Sequence, residues 1–339
     1  MLRIFLLAVA LAAFVGCSPE EPVINSFDDS WRLLVADSNA AITLVNMPSG
    51  DIATSDLLAA GGDAASLCGG LSRFRDDVFV LHPGAPSITV LSADSLLRKA
   101  RIETGAAGPA SSIAFANATT AFATHPSSDM LSVIDLTTYT IADTLVIPGR
   151  PVGVAILGNV GCIALQGSSE IIFFDTRSFV LSQPIKVATA PTYIQGDAVN
   201  DAFVIVSLGA GKVDAQVLTV PVISFASIES RTVVASVDLT SRAGQGADRR
   251  PLGLAINDEG SAYVAMTDVV LRVPLRSRSR ATMVTEGAFA GITAIPTRAE
   301  VVLSSTSDPR VEVFDGFMET KRLQVAVPTA GRIMLALTP

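Results

Sequence analysis

The chain has 339 residues, of which 49% are hydrophobic, 6% aromatic and 17% charged, enough for one large all-β domain or two ordinary ones. The formal net charge is −8 and the isoelectric point about 4.8, a balance that repels polyanions and excludes a generic nucleic-acid surface. So little charge beside plentiful Val, Ala, Ser, Thr and Gly points to many short buried strands rather than salt-bridged surface helices.

The first residues form an export signal: Arg3 gives a positive start, Ile4 to Val15 an apolar stretch, and the small residue Gly16 precedes Cys17. A stretch of 12 residues is too short to cross a hydrocarbon layer of about 30 Å as a helix. Phe14-Val15-Gly16-Cys17 resembles the bacterial lipobox, with Phe14 where that motif usually has Leu. The resemblance implies cleavage before Cys17 and acylation of its thiol and new amino group. Residues 1–16 are then a removed signal peptide, and 17–30 a lipidated Cys and flexible tether, whose SPEEPVINS run (Ser18 to Ser26) is polar and proline-bearing. Stable anchoring takes more than one chain at about 0.8 kcal/mol per buried CH₂. Ser18 is not the Asp that favours inner-membrane retention in enteric bacteria, so the expected address is the outer membrane, periplasmic or surface-exposed, with the bilayer as first partner.

From Trp31 onward the chain repeats. Pro109 to Arg150 is the ruler: inner strand Ser112 to Phe115, second Ala121 to Thr124, third Leu131 to Asp135, outer Ile141 to Ile147. Upstream, VFVLHPGAPSITVLSADSL (Val78 to Leu96) belongs to a unit starting near Asp63, whose first strand is flanked by Gly61-Gly62 and Gly69-Gly70. Downstream, units begin at Pro151, Pro191 and Pro251, and Ala288 to Ile292 opens another. The step is mostly about 40 residues, the period of a four-stranded propeller blade. Phe203-Val204-Ile205-Val206 and Ile171-Ile172-Phe173-Phe174 are apolar on both faces, as blades sandwiched between neighbours require.

The ends complete the count. Trp31 begins with LLVADS, which matches a second strand, and Gly331 to Leu337 matches an inner strand with nothing after it. Together they make one blade. The expected fold over residues 31–339 is therefore an all-β, seven-bladed β-propeller of four-stranded antiparallel blades, closed by the C-terminal strand joining the N-terminal blade.

AFATHPSSDMLSVIDLTTYTIADTLVIPGRPVGVAI resembles the YVTN repeat of bacterial surface-layer-like seven-bladed propellers, with His82, His125, Gln166 and Met266 in place of the signature Asn. The match covers nearly all of the chain after residue 31. That resemblance implies an exported binding protein more than any one chemistry.

Propeller topology sorts the loops. Connections between blades, and between second and third strands, share a top face; the others share the bottom, where the tether enters. His82 and His125 each precede Pro at the same top-face phase. Zinc needs three or four ligands and no carboxylate or thiol recurs beside them, so no metal site is expected. The pair is first a turn solution and second a ligand-contact candidate. Asp135, Asp175, Asp238 and Asp315 are read as turn caps after third strands, the register at Asp238 being ambiguous. Arg150 and Arg250 each precede the Pro that enters an inner strand, Arg249 is adjacent, and Arg332 starts the closing strand. Guanidiniums there ring the top mouth of the channel, where they suit a carboxylate or phosphate. Thr240 to Arg250 is the longest polar connection on that face. Arg276, Arg278 and Arg280 alternate with serines in a bottom turn, placed to meet anionic headgroups at about 1 kcal/mol per charge. Cys68 and Cys162 fall in non-adjacent units, which disfavours a bridge.

No phosphate loop, CxxC pair, HExxH helix or GxSxG elbow occurs, and no cofactor is implied. The expected function is that of a monomeric, non-catalytic cell-envelope lipoprotein presenting its membrane-distal face to a protein, polysaccharide or small ligand. The alternative is a propeller enzyme, lactonase-like or quinoprotein-like, with its site at the top mouth of the channel.

Overall fold

Every side chain of Phe203-Val204-Ile205-Val206 is fully buried, which a strand with one wet face cannot achieve. The computed structural model, which describes residues 30–36, 42–54, 68–209, 211–213, 216–218, 220–239, 250–316, 320–327, 331 and 333–338, shows why. Side chains alternate across a strand. Phe203 and Ile205 therefore pack with Phe173 of the preceding sheet, while Val204 and Val206 pack with Val264 and Met266 of the following one. Ile171 and Phe173 likewise face forward, and Ile172 and Phe174 backward.

Seven four-stranded antiparallel sheets result, and the apolar residues form seven clusters, one in each space between consecutive blades. The core is a ring of seven small cores. Numbered in chain order, the first blade pairs Trp31–Ala36, Ile42–Met47 and Ile52–Thr54 with the closing strand Ile333–Leu337. Five residue pairs, Arg32↔Leu337 to Ala36↔Ile333, make that seam. Arg73 Nη1 of the second blade donates to the Thr338 carbonyl at 2.5 Å, and Ser304 of the seventh donates to that of Gly331. The ring closes as the sequence predicts.

The other inner strands are Gly70–Phe74, Ser112–Phe115, Pro151–Leu157, Pro191–Asp197, Pro251–Asn257 and Phe289–Ala294. Each sits at one end of its sheet, so its second edge faces the central channel. In the fourth to seventh blades the register slips at the start of this strand, at Pro151/Gly153, Pro191/Tyr193, Pro251/Gly253 and Phe289/Gly291. The bulge leaves the intervening residue unpaired and tightens the twist where blades crowd together.

Turns from third to outer strand carry a second repeated device. Leu96, Tyr139, Phe179, Arg231 and Arg278 occupy the same turn phase in the second to sixth blades, all with φ between 48° and 60°. A non-glycine residue there is unfavourable by about 1–2 kcal/mol, and each points its side chain at the preceding blade. Leu96 joins the cluster with Leu34, and Phe179 meets Phe122 edge-on at 5.9 Å. Arg231 lies 5.7 Å from the Phe173 ring and Arg278 5.4 Å from that of Phe225. These turns latch blade to blade.

Two expectations are corrected. The second blade's inner strand is Gly70–Phe74; it begins at the second glycine of Gly69-Gly70 rather than ending before that pair, and Asp63 and Gly61-Gly62 lie outside the described residues. Asp238 ends an outer strand, Val233–Asp238, and Ser227 takes the turn position, its Oγ accepting from the Ser230 amide at 3.3 Å. The displacement comes from an element absent from the sequence reading, a hairpin of Gly211–Val213 with Gln216–Leu218 inserted between the fifth blade's second and third strands.

Candidate functional site

The channel, its top mouth and the top-face loops are the places where this architecture presents unrepeated chemistry. Two cavities occupy the channel, of about 430 and 740 Å³. Both are walled by inner strands, and both are lined by Gly70, Leu71, Tyr193 and Leu254. Among the described residues that line them none carries a charge. The bulged Val152 and Thr192 line the smaller cavity, and Leu252 and Ala290 the larger.

Part of the channel edge is already capped. Ser111 Oγ donates to the Val152 carbonyl at 2.9 Å, and the Val154 amide donates to Ser112 Oγ at 3.2 Å. Thr192 Oγ1 donates to the Ala190 carbonyl at 3.1 Å. Tyr193 makes no such bond: its hydroxyl has no hydrogen-bond partner among the described residues, and burial pushes its pKa up.

His82 and His125 sit in equivalent loops of adjacent blades, each within its own loop structure. His82 is 1% exposed, with Nε2 2.8 Å from Thr89 Oγ1. His125 is fully buried, with Nδ1 2.9 Å from the Gly108 carbonyl. Its Nε2 has no partner, and burial lowers its pKa below the ordinary value. Both imidazoles support the loops that hold them. Neither lines a channel cavity.

Arg150 and Arg250 are exposed at the starts of the fourth and sixth blades' inner strands, with the fifth blade between them and outside the two cavity linings. Arg150 adopts φ 61°, and Asp129 Oδ1 accepts from its backbone amide at 2.7 Å. Arg249, Arg332, Cys17 and the stretch 240–249 lie outside the described residues. On the bottom face Arg276 and Arg280 are exposed, whereas Arg278 is half-buried against Phe225.

The acids resolve into structural roles. Asp135 Oδ1 accepts from the Thr137 amide at 2.7 Å, and Asp175 Oδ1 from the Ser178 amide at 2.7 Å. For Asp135 the Thr137 hydroxyl bond is the main cause of a lowered pKa; for Asp175 it is the Ser178 amide. Asp315 pairs with Arg322 Nε at 3.0 Å, and the turn that follows it, residues 317–319, lies outside the described residues. Cys68 and Cys162 are buried free thiols in separate clusters. Burial pushes Cys68 up to about 12 and raises Cys162 further. Among the described residues no group of three or more His, Cys, Asp and Glu is placed to hold a metal ion.

Sequence reasoning missed Tyr193. The signal was present, since PVG, PLG and FAG begin the fourth, sixth and seventh inner strands where the fifth has PTY.

No known protein family matches the sequence, and no curated protein matches it. Solved structures do match. Hydrazine synthase of Kuenenia stuttgartiensis is 13% identical with a TM-score of 0.65, covering 78% of this chain and 88% of that one. AztD of Citrobacter koseri is 11% identical with a TM-score of 0.59, covering 91% and 98%. A functionally unknown protein of Desulfotomaculum acetoxidans is 14% identical with a TM-score of 0.67, covering 91% and 99%. At these identities the likeness carries the propeller fold alone.

Proposed function

We propose that this chain is a bacterial envelope lipoprotein of the YVTN-repeat type, held by lipid on Cys17, which binds a partner through the top face of its propeller. The observation that supports this reading is the asymmetry of the fifth blade. Its second-to-third connection carries the extra hairpin, and its link to the sixth blade is the longest polar connection, Thr240 to Arg250. Both elaborations belong to one face of the ring, the face that also carries the link of residues 55–69 between the first two blades. Added loops on a rigid scaffold are where recognition is usually placed. The bottom face bears the ends of the described chain, Ser30 and Thr338, so a tether before Trp31 turns the top away from the membrane.

The hairpin can be tested cleanly because its base is pinched. A Cβ at Gly209 would lie 1.7 Å from the Val220 carbonyl oxygen, so excising residues 210–219 needs only a short link. Envelope cross-linking and pull-down should recover one set of partners with the full chain and lose it with this excision or with deletion of Thr240 to Arg250. Identical profiles from all three proteins remove the top face of the fifth blade as the binding surface. Cys17→Ser should move the protein out of the membrane fraction; retention there discards the anchor.

A further inference from the structure

Tyr193 is the one inner-strand position where the fifth blade departs from its neighbours in a way that changes the channel. The register aligns it with Gly153, Gly253 and Gly291. Two of those glycines, Gly153 and Gly253, make room. A Cβ at Gly153 would lie 2.8 Å from Ile194 Cγ2, and one at Gly253 2.8 Å from Ile292 Cγ2. Each glycine thus admits an isoleucine from the next blade. At Tyr193 the corresponding neighbour is Leu254, and a phenol stands where the others have a gap.

That phenol belongs to both cavities, at the waist they share with Leu71 and Leu254. Around it the aliphatic side chains of Ile113, Val154, Ile292 and Met334 are joined by neutral polar ones, Ser72, Gln195, Thr267 and Thr306. The larger volume, about 740 Å³, lies in the range of small-molecule sites, roughly 300–1,000 Å³. Walls without a charge leave an ionic guest uncompensated, whereas a neutral guest loses little on entry. Tyr193 is a half-buried phenol with no hydrogen-bond partner among the described residues, and it alone of the polar side chains here reaches both cavities, so it is placed to orient such a guest.

We propose that the channel binds a neutral, mostly apolar small molecule whose carbonyl-type oxygen accepts a hydrogen bond from Tyr193. This site is separate from the top-face partner surface and stands whether or not that surface binds anything. Leu71, Leu254 and Met334 grip the apolar body, and Tyr193 sets its orientation.

Benzophenone is a suitable probe, being neutral and apolar with a single carbonyl that inserts into nearby C–H bonds on irradiation. The full chain, in detergent or in its membrane, is photolabelled and the adducts are mapped by peptide mass spectrometry. Saturable labelling is expected on peptides containing Leu71, Leu254 or Met334. Tyr193→Phe, which keeps the ring and its packing, should lower that labelling roughly threefold to tenfold with an unchanged melting temperature, as loss of one hydrogen bond does. Adducts confined to the outer surface overturn the site. Channel adducts of equal yield in both proteins overturn the role of Tyr193, and with it the proposal as stated.

Discussion

His125 shows how a repeat position acquires a pH response. In the YVTN-like pattern its slot belongs to Asn, and in the next blade the register gives it to Leu165 rather than Gln166; neither Asn nor Leu takes up a proton. The imidazole is fully buried, and burial lowers its pKa in the folded state. The unfolded chain takes up a proton near the ordinary value of about 6.5, where the folded chain still refuses it. Stability therefore falls as pH drops below that value, and the loss levels off beneath the folded pKa. The Asp135 and Asp175 carboxyls are also lowered, by hydrogen bonds that favour the charged form, and their stabilisation is lost only on further acidification through the carboxylate range. Between pH 7.5 and 5.5 the urea midpoint of the native chain should drop, and His125→Gln should flatten that drop. Equal slopes would place the response elsewhere. That His125 is a turn residue was legible from its recurrence with His82; that one ring nitrogen is sealed without a partner was not, because burial of a loop is decided by the blades around it.

At the scale of the element, the turn from third to outer strand is half readable. Its Asp cap is visible in sequence at Asp135 and Asp175, but the residue four places later, which reaches back to the previous blade, carries no common chemistry. Leu, Tyr, Phe and Arg all serve, because the requirement is reach from a left-handed position. Tyr139 is the polar case. Its hydroxyl donates to Asp77 Oδ2 at 2.5 Å, and Lys99 Nζ pairs with the other oxygen of that carboxylate. Burial first and Asp77 second raise the Tyr139 pKa, and the Asp77 bond raises that of Lys99. Tyr139→Phe should cost on the order of 1 kcal/mol, measured by urea unfolding. A double-mutant cycle with Asp77→Asn should recover most of that as coupling; additive effects would show that the latch works through ring packing alone. The fifth blade shows the limit of pattern reading in the other direction. Its inserted hairpin shifted the apparent register, so that Asp238 imitated a turn position that Ser227 holds.

For the whole molecule, stability is distributed around a closed ring, so closure matters more than any one core. Removing residues 331–339 deletes the partner of Trp31–Ala36 in every pair of the seam, together with the Arg73–Thr338 and Ser304–Gly331 bonds. It also opens the spaces on both sides of the first blade, where Met334 and Leu337 are packed. The truncated chain should melt far below the full chain and with a broader transition by calorimetry. A truncated protein with an unchanged, sharp transition would mean that the ring does not need its clasp.

The sequence by itself determined the period, the number of blades and the late start and early finish that force the termini into one sheet. These follow from local patterning, since strands apolar on both faces at steps of about 40 residues have few other ways to be buried. Tertiary structure alone decided what each repeated position does. Gly153 and Gly253 make room for Ile194 and Ile292, but at the same register Tyr193 lines the channel with a hydroxyl that has no partner among the described residues. The difference between a packing residue and a binding residue lies in the neighbouring blade, and along the chain that blade is about 40 residues away.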